Sequence, residues 1–200
     1  MKVPESLSTL MPLVKELVFD TLPPTLYYHC LEHTMQVVAY SIQLAAKAGL
    51  DKKEEELLFA AAVLHDSGYG KKYRANEGVG AIFASKILPD YGFSKREIEQ
   101  VKQMILATNL VVSPNNQLEM LLIDADMAYL GRDDFFMWSD RLFREWKAFG
   151  LFDGTAEAWL HTQIEFLQSH VYATPEAFEL FDAGKQNNIL LLKSIKKWPF

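Results

Sequence analysis

The chain has 200 residues, half of them apolar and 12% aromatic, which suits one fairly large domain, or two small ones at most, with a substantial core. Its formal net charge of −6 argues against a general nucleic-acid binder, and its single cysteine, Cys30, excludes an intrachain disulfide and fits a reducing compartment. The start, Met1-Lys2-Val3-Pro4-Glu5, lacks the basic-then-apolar pattern of a secretory signal, and no apolar run is long enough to span a bilayer. A soluble, cytoplasmic protein is expected.

Leu7, Leu10, Leu13, Val14, Leu17 and Val18 recur at helical spacing and predict a first helix over 7–22, stopped by Pro23-Pro24. A second helix is expected from about Tyr28 to Gly49, with Gly49 as its C-terminal cap. Asp51, followed three residues later by Glu54, has the spacing of a capping box and opens the third. That helix leads through eight apolar residues, Leu57 to Leu64, into His65 and Asp66, and Gly68 is read as its stop.

Gly68 to Arg74 is a loop carrying Lys71, Lys72 and Arg74 with two tyrosines. Helix resumes near Glu77 and reaches Leu88, and Ser94 to Glu97 is a second capping box. Val112 to Gln117 reads as a polar turn, and Leu118 to Leu130 as a helix. Asp133 caps the next helix, Gly150 ends it, and Thr155 opens another. Thr174-Pro175-Glu176 is a cap followed by proline at the first helical position, and Ile189 to Ile195 reads as a last apolar helix. No stretch alternates as a strand does. The expected fold is all-α: a single-domain helical bundle over 1–200 with a motif core at about 27–135 and C-terminal helices 136–200 packed on it.

Several polar residues sit where apolar ones belong. His29 and His33 are four apart and share a helix face. His65 and Asp66 end an apolar helix, where an ionised carboxylate is costly unless compensated. Asp124 and Asp126 lie among Leu121, Leu122, Ile123, Met127, Ala128 and Leu130. Two residues correspond to roughly 200° of helix, so only one of these carboxylates faces a common site easily. Periodicity does not choose between them. Nitrogen and oxygen donors without thiolate suit a divalent ion such as Mn, Fe, Co, Ni, Zn or Mg.

The ordered set His33, His65-Asp66, Asp126 resembles the H…HD…D signature of the HD-domain superfamily of metal-dependent phosphohydrolases. Tyr28 to Thr34 is similar to that family's first-ligand helix, Ala61 to Tyr69 to its doublet, and Asp124 to Phe135 to the last-ligand helix of an uncharacterised bacterial branch. The resemblance implies that His33, His65, Asp66 and Asp126 hold the metal, with Asp126 rather than Asp124 as the last ligand. It also departs from the two-metal members. No histidine lies between His65 and His161; Asn76-Glu77 stands where relatives of that branch often show His-Glu, and Thr108-Asn109 where two-metal members place a histidine ending the following helix. One divalent metal ion is therefore expected, and the HD oxygenases, which need two, are disfavoured.

The implied activity is cleavage of a phosphomonoester or phosphodiester, with a nucleotide as one candidate. Asp66 and Asp124 are the candidates to orient or deprotonate the attacking water. Lys71, Lys72 and Arg74 are the candidate phosphate contacts, and a merely solvated basic loop is the alternative for them. His29 is a candidate outer ligand or a contact behind the ligands, with a structural role as the alternative, and Glu77 is placed near the site without an assigned role, while His161 and His170 read as surface or packing histidines. The expected partner is a small-molecule phosphate ester, with no membrane and no general nucleic-acid binding; a homodimer is left open. The competing reading is a non-catalytic metal- or nucleotide-binding regulatory module of the same fold.

Overall fold

The computed structural model describes residues 4–109, 111–195 and 198, so the extreme ends of the expected 1–200 domain lie outside the described residues. All regular structure among the described residues is helical: nine α-helices, α1 (Leu10–Leu17), α2 (Leu31–Ala48), α3 (Lys52–Leu64), α4 (Asn76–Ile87), α5 (Lys95–Ala107), α6 (Gln117–Asp126), α7 (Phe135–Ala148), α8 (Ala156–Ser169) and α9 (Pro175–Ser194), with short 3-10 turns between some of them. None of these helices is long and apolar enough to cross a membrane. The described residues separate into two compact units, the first comprising those up to 23 and within 29–126 and the second those within 24–28 and from 127 onward.

The first unit is built around α3, which touches α1, α2, α4, α5 and α6. That surround explains why every residue from Leu57 to Leu64 is buried: a helix that is apolar all round has to be covered all round. Both capping boxes form. Asp51 accepts from the Glu54 amide at 2.9 Å while Glu54 accepts from the Asp51 amide at 3.0 Å, and Ser94 and Glu97 do the same for α5. Gly49 closes α2 in the left-handed conformation, with φ of 67°.

Several boundaries differ from expectation. The 7–22 helix is broken: 3-10 turns at Glu5–Leu7 and Phe19–Thr21 flank a short α1. Pro12 is the cause at the start, because its ring excludes a helical carbonyl four residues earlier and confines it to the first turn. The second helix begins at Leu31 rather than near Tyr28, with Cys30 extended before it. The third ends at Leu64, ahead of Gly68, where the Ser67 hydroxyl donates to the Leu64 carbonyl at 2.7 Å. Gly68 serves a different purpose, since a Cβ there would lie 1.9 Å from the Asn76 carbonyl oxygen. The helix expected over 118–130 stops at Asp126 and tightens into a 3-10 turn, Met127–Gly131.

In the second unit α9 packs on α8 and on the Met127–Gly131 turn. The expected Ile189–Ile195 helix is the end of a continuous 20-residue α9. Gly184 sits inside it because a side chain there would meet the Gly131 carbonyl oxygen at 1.9 Å. Thr174 caps α9, accepting from the Ala177 amide at 3.3 Å, with Pro175 at its first position. Asp134, not Asp133, precedes α7; its carboxylate takes hydrogen bonds from the Arg132 guanidinium and the Trp138 indole. Gly150 follows α7 with φ of 64°, and Thr155 caps α8.

Candidate metal centre

Three helices of the first unit bring their polar residues together. His33 lies in the first turn of α2, His65 and Asp66 directly follow α3, and Asp126 is the last residue of α6. His65 keeps helical dihedrals, but Asp66, at φ −96° and ψ 4°, leaves the helix. That departure lets neighbouring side chains converge instead of diverging by the roughly 100° a continuing helix would impose. The C-terminal ends of α3 and α6 meet here, and the negative ends of their dipoles favour a cation.

The distances are short. His33 Nε2 is 3.0 Å from Asp126 Oδ1 and 3.4 Å from Asp66 Oδ2. His65 Nε2 is 3.2 Å from Asp66 Oδ2 and 3.9 Å from Asp126 Oδ1. One donor atom each from His33, His65 and Asp66 falls within 4.8 Å of the other two, a group able to hold a metal ion; Asp126 stands at its edge.

The chemistry of the donors fits such an ion. His65 Nδ1 donates to the Ala62 carbonyl at 2.8 Å, so its proton is committed there and Nε2 presents a lone pair. That lone pair faces Asp66 Oδ2, and both atoms are buried without hydrogen-bond geometry. Lone pair against carboxylate is repulsive unless a cation or a second proton lies between them. Without a cation the proton is retained: burial pushes His65 down, but the charges of Asp66 and then Asp126 outweigh it and hold its pKa at about 9. For Asp66, burial pushes upward, yet the charges of His65, His29 and His33 hold it well below the usual carboxylate range.

The other candidates are placed as follows. Asp124 is buried in α6, 1% exposed, two residues before Asp126. Lys71, Lys72 and Arg74 are all exposed on the segment joining the Ser67–Gly70 turn to α4, and Glu77 is half-buried in the first turn of α4. His29 Nε2 is in hydrogen-bonding contact with the Tyr69 hydroxyl at 2.9 Å, and its ring stacks on Tyr69 with centroids 4.0 Å apart. Tyr73 packs edge-on to both rings. Tyr69 and the Ala62 carbonyl are the site contacts that residue reading did not name. The tyrosine falls in the glycine-flanked loop, and only the three-residue spacing from His65 marks the carbonyl.

An all-α fold with this His-His-Asp group defines a class, and the comparisons name it. Residues 30–127 match the HD domain family. The crystal structure of a predicted HD superfamily hydrolase from an uncultured Thermotogales bacterium superposes with a TM-score of 0.61, covering 94% of this chain and 89% of that one. At 18% identity this likeness shows the fold alone. No curated protein matches the chain significantly. Residues 30–127 are thus an HD domain, of a family of metal-dependent hydrolases.

Proposed function

We propose that the protein is a phosphohydrolase that cleaves a phosphomonoester or phosphodiester, a nucleotide being one candidate, with one divalent ion held by His33, His65, Asp66 and Asp126. The observation that carries this reading is the meeting of two imidazole nitrogens with the carboxylates of Asp66 and Asp126 at 3.0–3.9 Å, from three separate helices. A divalent ion supplies Lewis-acid polarisation of a phosphoryl oxygen and lowers the pKa of water.

The chain's own residues do the rest. The Ala62 carbonyl holds His65 in the tautomer that presents Nε2. Asp66 turns Oδ2 toward the imidazoles, which leaves its other oxygen to accept the proton of an attacking water; Asp124 is the alternative base. Lys71, Lys72 and Arg74 bind the ester's phosphate through charge-assisted hydrogen bonds, for which their exposure suits them.

Metal analysis of the purified protein is expected to find about one divalent ion per chain, lost in Asp66→Ala and Asp126→Ala and kept in Asp124→Ala. Full occupancy in Asp126→Ala overturns the ligand assignment. A phosphatase and phosphodiesterase screen with Mn, Fe, Co, Ni, Zn and Mg, using Asp66→Ala as the control, tests the activity. Absence of metal-dependent turnover with every ion overturns the catalytic reading.

A further inference from the structure

The second unit carries a surface that the metal centre does not use. A cleft of about 540 Å³ runs between the end of α8 and the outer face of α9, lined by Leu167, Val171, Phe178, Ile189, Leu190 and Lys193 among others. Val171, Phe178 and Leu190 on its rim are 76%, 55% and 67% exposed. Isolated exposed apolar residues need no explanation, but three gathered around one cleft mark an interaction surface.

Its floor argues against a small anionic ligand. Lys185 is buried at 3% exposure, and its ammonium donates to the His170 carbonyl at 2.7 Å and lies 2.9 Å from Asp182 Oδ1. Its charge is thus satisfied within the fold. His170 stays neutral, its pKa pushed down to about 4 by burial and then by Lys185. What faces outward is Val171, Phe178 and Leu190 interleaved with Gln168, Gln186 and Lys193 over an internally neutralised floor, and this suits apolar side chains flanked by polar ones.

The pattern along α9 says whose side chains they are. Pro175, Glu179, Asp182, Gln186, Ile189 and Lys193, in steps of four and three, share one face of the helix as a largely polar seam. Phe178 and Leu190 flank that seam. Charge is divided along the helix outside the Asp182–Lys185 pair: Glu176 and Glu179 lie in its first half and Lys193 in its second. A second α9 laid antiparallel sets acidic half against basic half, whereas a parallel one sets like against like. A two-fold axis produces the antiparallel pairing and brings the same surface from both copies.

We propose that α9 and the cleft beside it form a self-association surface, in which α9 pairs antiparallel with α9 of a second copy and Phe178 and Leu190 of each copy are covered by the other. The proposal is independent of the metal reading, since no residue of the seam belongs to the donor group.

The test is sedimentation equilibrium of the full chain over a concentration series. Wild type is expected to dimerise, and Phe178→Glu/Leu190→Glu to raise the dissociation constant about tenfold or more. Lys193→Glu alone weakens the dimer by placing acid against acid, and adding Glu179→Lys to the same chain restores it. Circular dichroism and thermal unfolding show whether each variant is folded. The charge-reversal pair keeps the test informative even where the double glutamate variant unfolds. A wild type that stays monomeric throughout, a folded Phe178→Glu/Leu190→Glu variant that dimerises as tightly as wild type, or a Lys193→Glu/Glu179→Lys chain no tighter than Lys193→Glu each overturns the proposal.

Discussion

Asp66 in the first unit and Asn188 in the second are buried to similar depth, 6% and 3% exposed, yet their surroundings are opposite. Asn188 Nδ2 donates to the carbonyls of Leu130 and Arg132, both at 2.9 Å, and ties the Met127–Gly131 turn to α9. Its neighbours in the second unit follow suit. Ser139 donates to Gln163 at 2.7 Å and accepts from the Trp159 indole, and Glu145 accepts from the Tyr28 amide at 2.7 Å. Asp66 instead turns Oδ2 toward two imidazole nitrogens without hydrogen-bond geometry. Burial of polar groups therefore has two meanings in one chain. Where donors meet acceptors it builds the fold, and where acceptors meet acceptors it leaves a place for a cation.

Removing the cation is the sharpest way to test this contrast. With a free divalent ion at about 100 times its dissociation constant, binding adds about 2.7 kcal/mol to unfolding stability. Chelation should remove that increment from wild type and change nothing in Asp66→Ala, as read by thermal unfolding with and without ion. An equal response in Asp66→Ala would break the comparison. Asn188→Leu is the counterpart in the second unit. Leaving two buried carbonyls without their donor costs about 2 kcal/mol, while the metal content should stay at the wild-type value.

His170 extends the contrast to pH. Its Nδ1 is buried without a hydrogen-bond partner, and its pKa is lowered from 6.5 to about 4. A depressed folded-state pKa means that the unfolded chain takes up the proton first. The contribution to stability is thus complete above pH 6.5 and is lost as pH falls toward about 4. Because the ring is partly exposed, screening reduces the effect to about 1–2 kcal/mol. His170→Phe should lack this loss when unfolding is measured by urea titration across that window.

The smallest effect concerns Ala75, which holds φ of 55° just before α4 and next to Arg74. An L-residue pays for that left-handed conformation and glycine does not, although glycine loses more chain entropy on folding. Ala75→Gly should stabilise by about 1 kcal/mol or less, visible as a slightly raised melting temperature with metal content unchanged.

Much of the architecture was legible because its signals are local. Asp51 with Glu54, Ser94 with Glu97, and Thr174 with Pro175 each specify a helix start through hydrogen bonds spanning three residues. The departures arise where distant backbone intervenes. Gly184 looks like a break in a helix, but α9 runs through it because Gly131 lies against that position. Gly68 looks like a helix stop and is instead a point of close approach to Asn76. Tyr69 was visible as an aromatic in a loop, but its contact with His29 depends on how the Ser67–Gly70 turn folds back toward α2.

The sequence by itself determined that the chain is helical, which helices are capped, and that His65 and Asp66 end an apolar run where a lone charge is untenable. Those conclusions need only periodicity, short-range hydrogen bonding and the cost of burying charge. Between Asp124 and Asp126 residue periodicity was silent, and the choice came from family resemblance. The tertiary structure supplied what neither contains: α6 ends at Asp126, α3 releases Asp66 from helical geometry, and His33 arrives from α2 within 3.0–3.4 Å of both carboxylates. Convergence of side chains from three helices depends on where each helix stops and what it packs against. No single stretch of sequence carries that information.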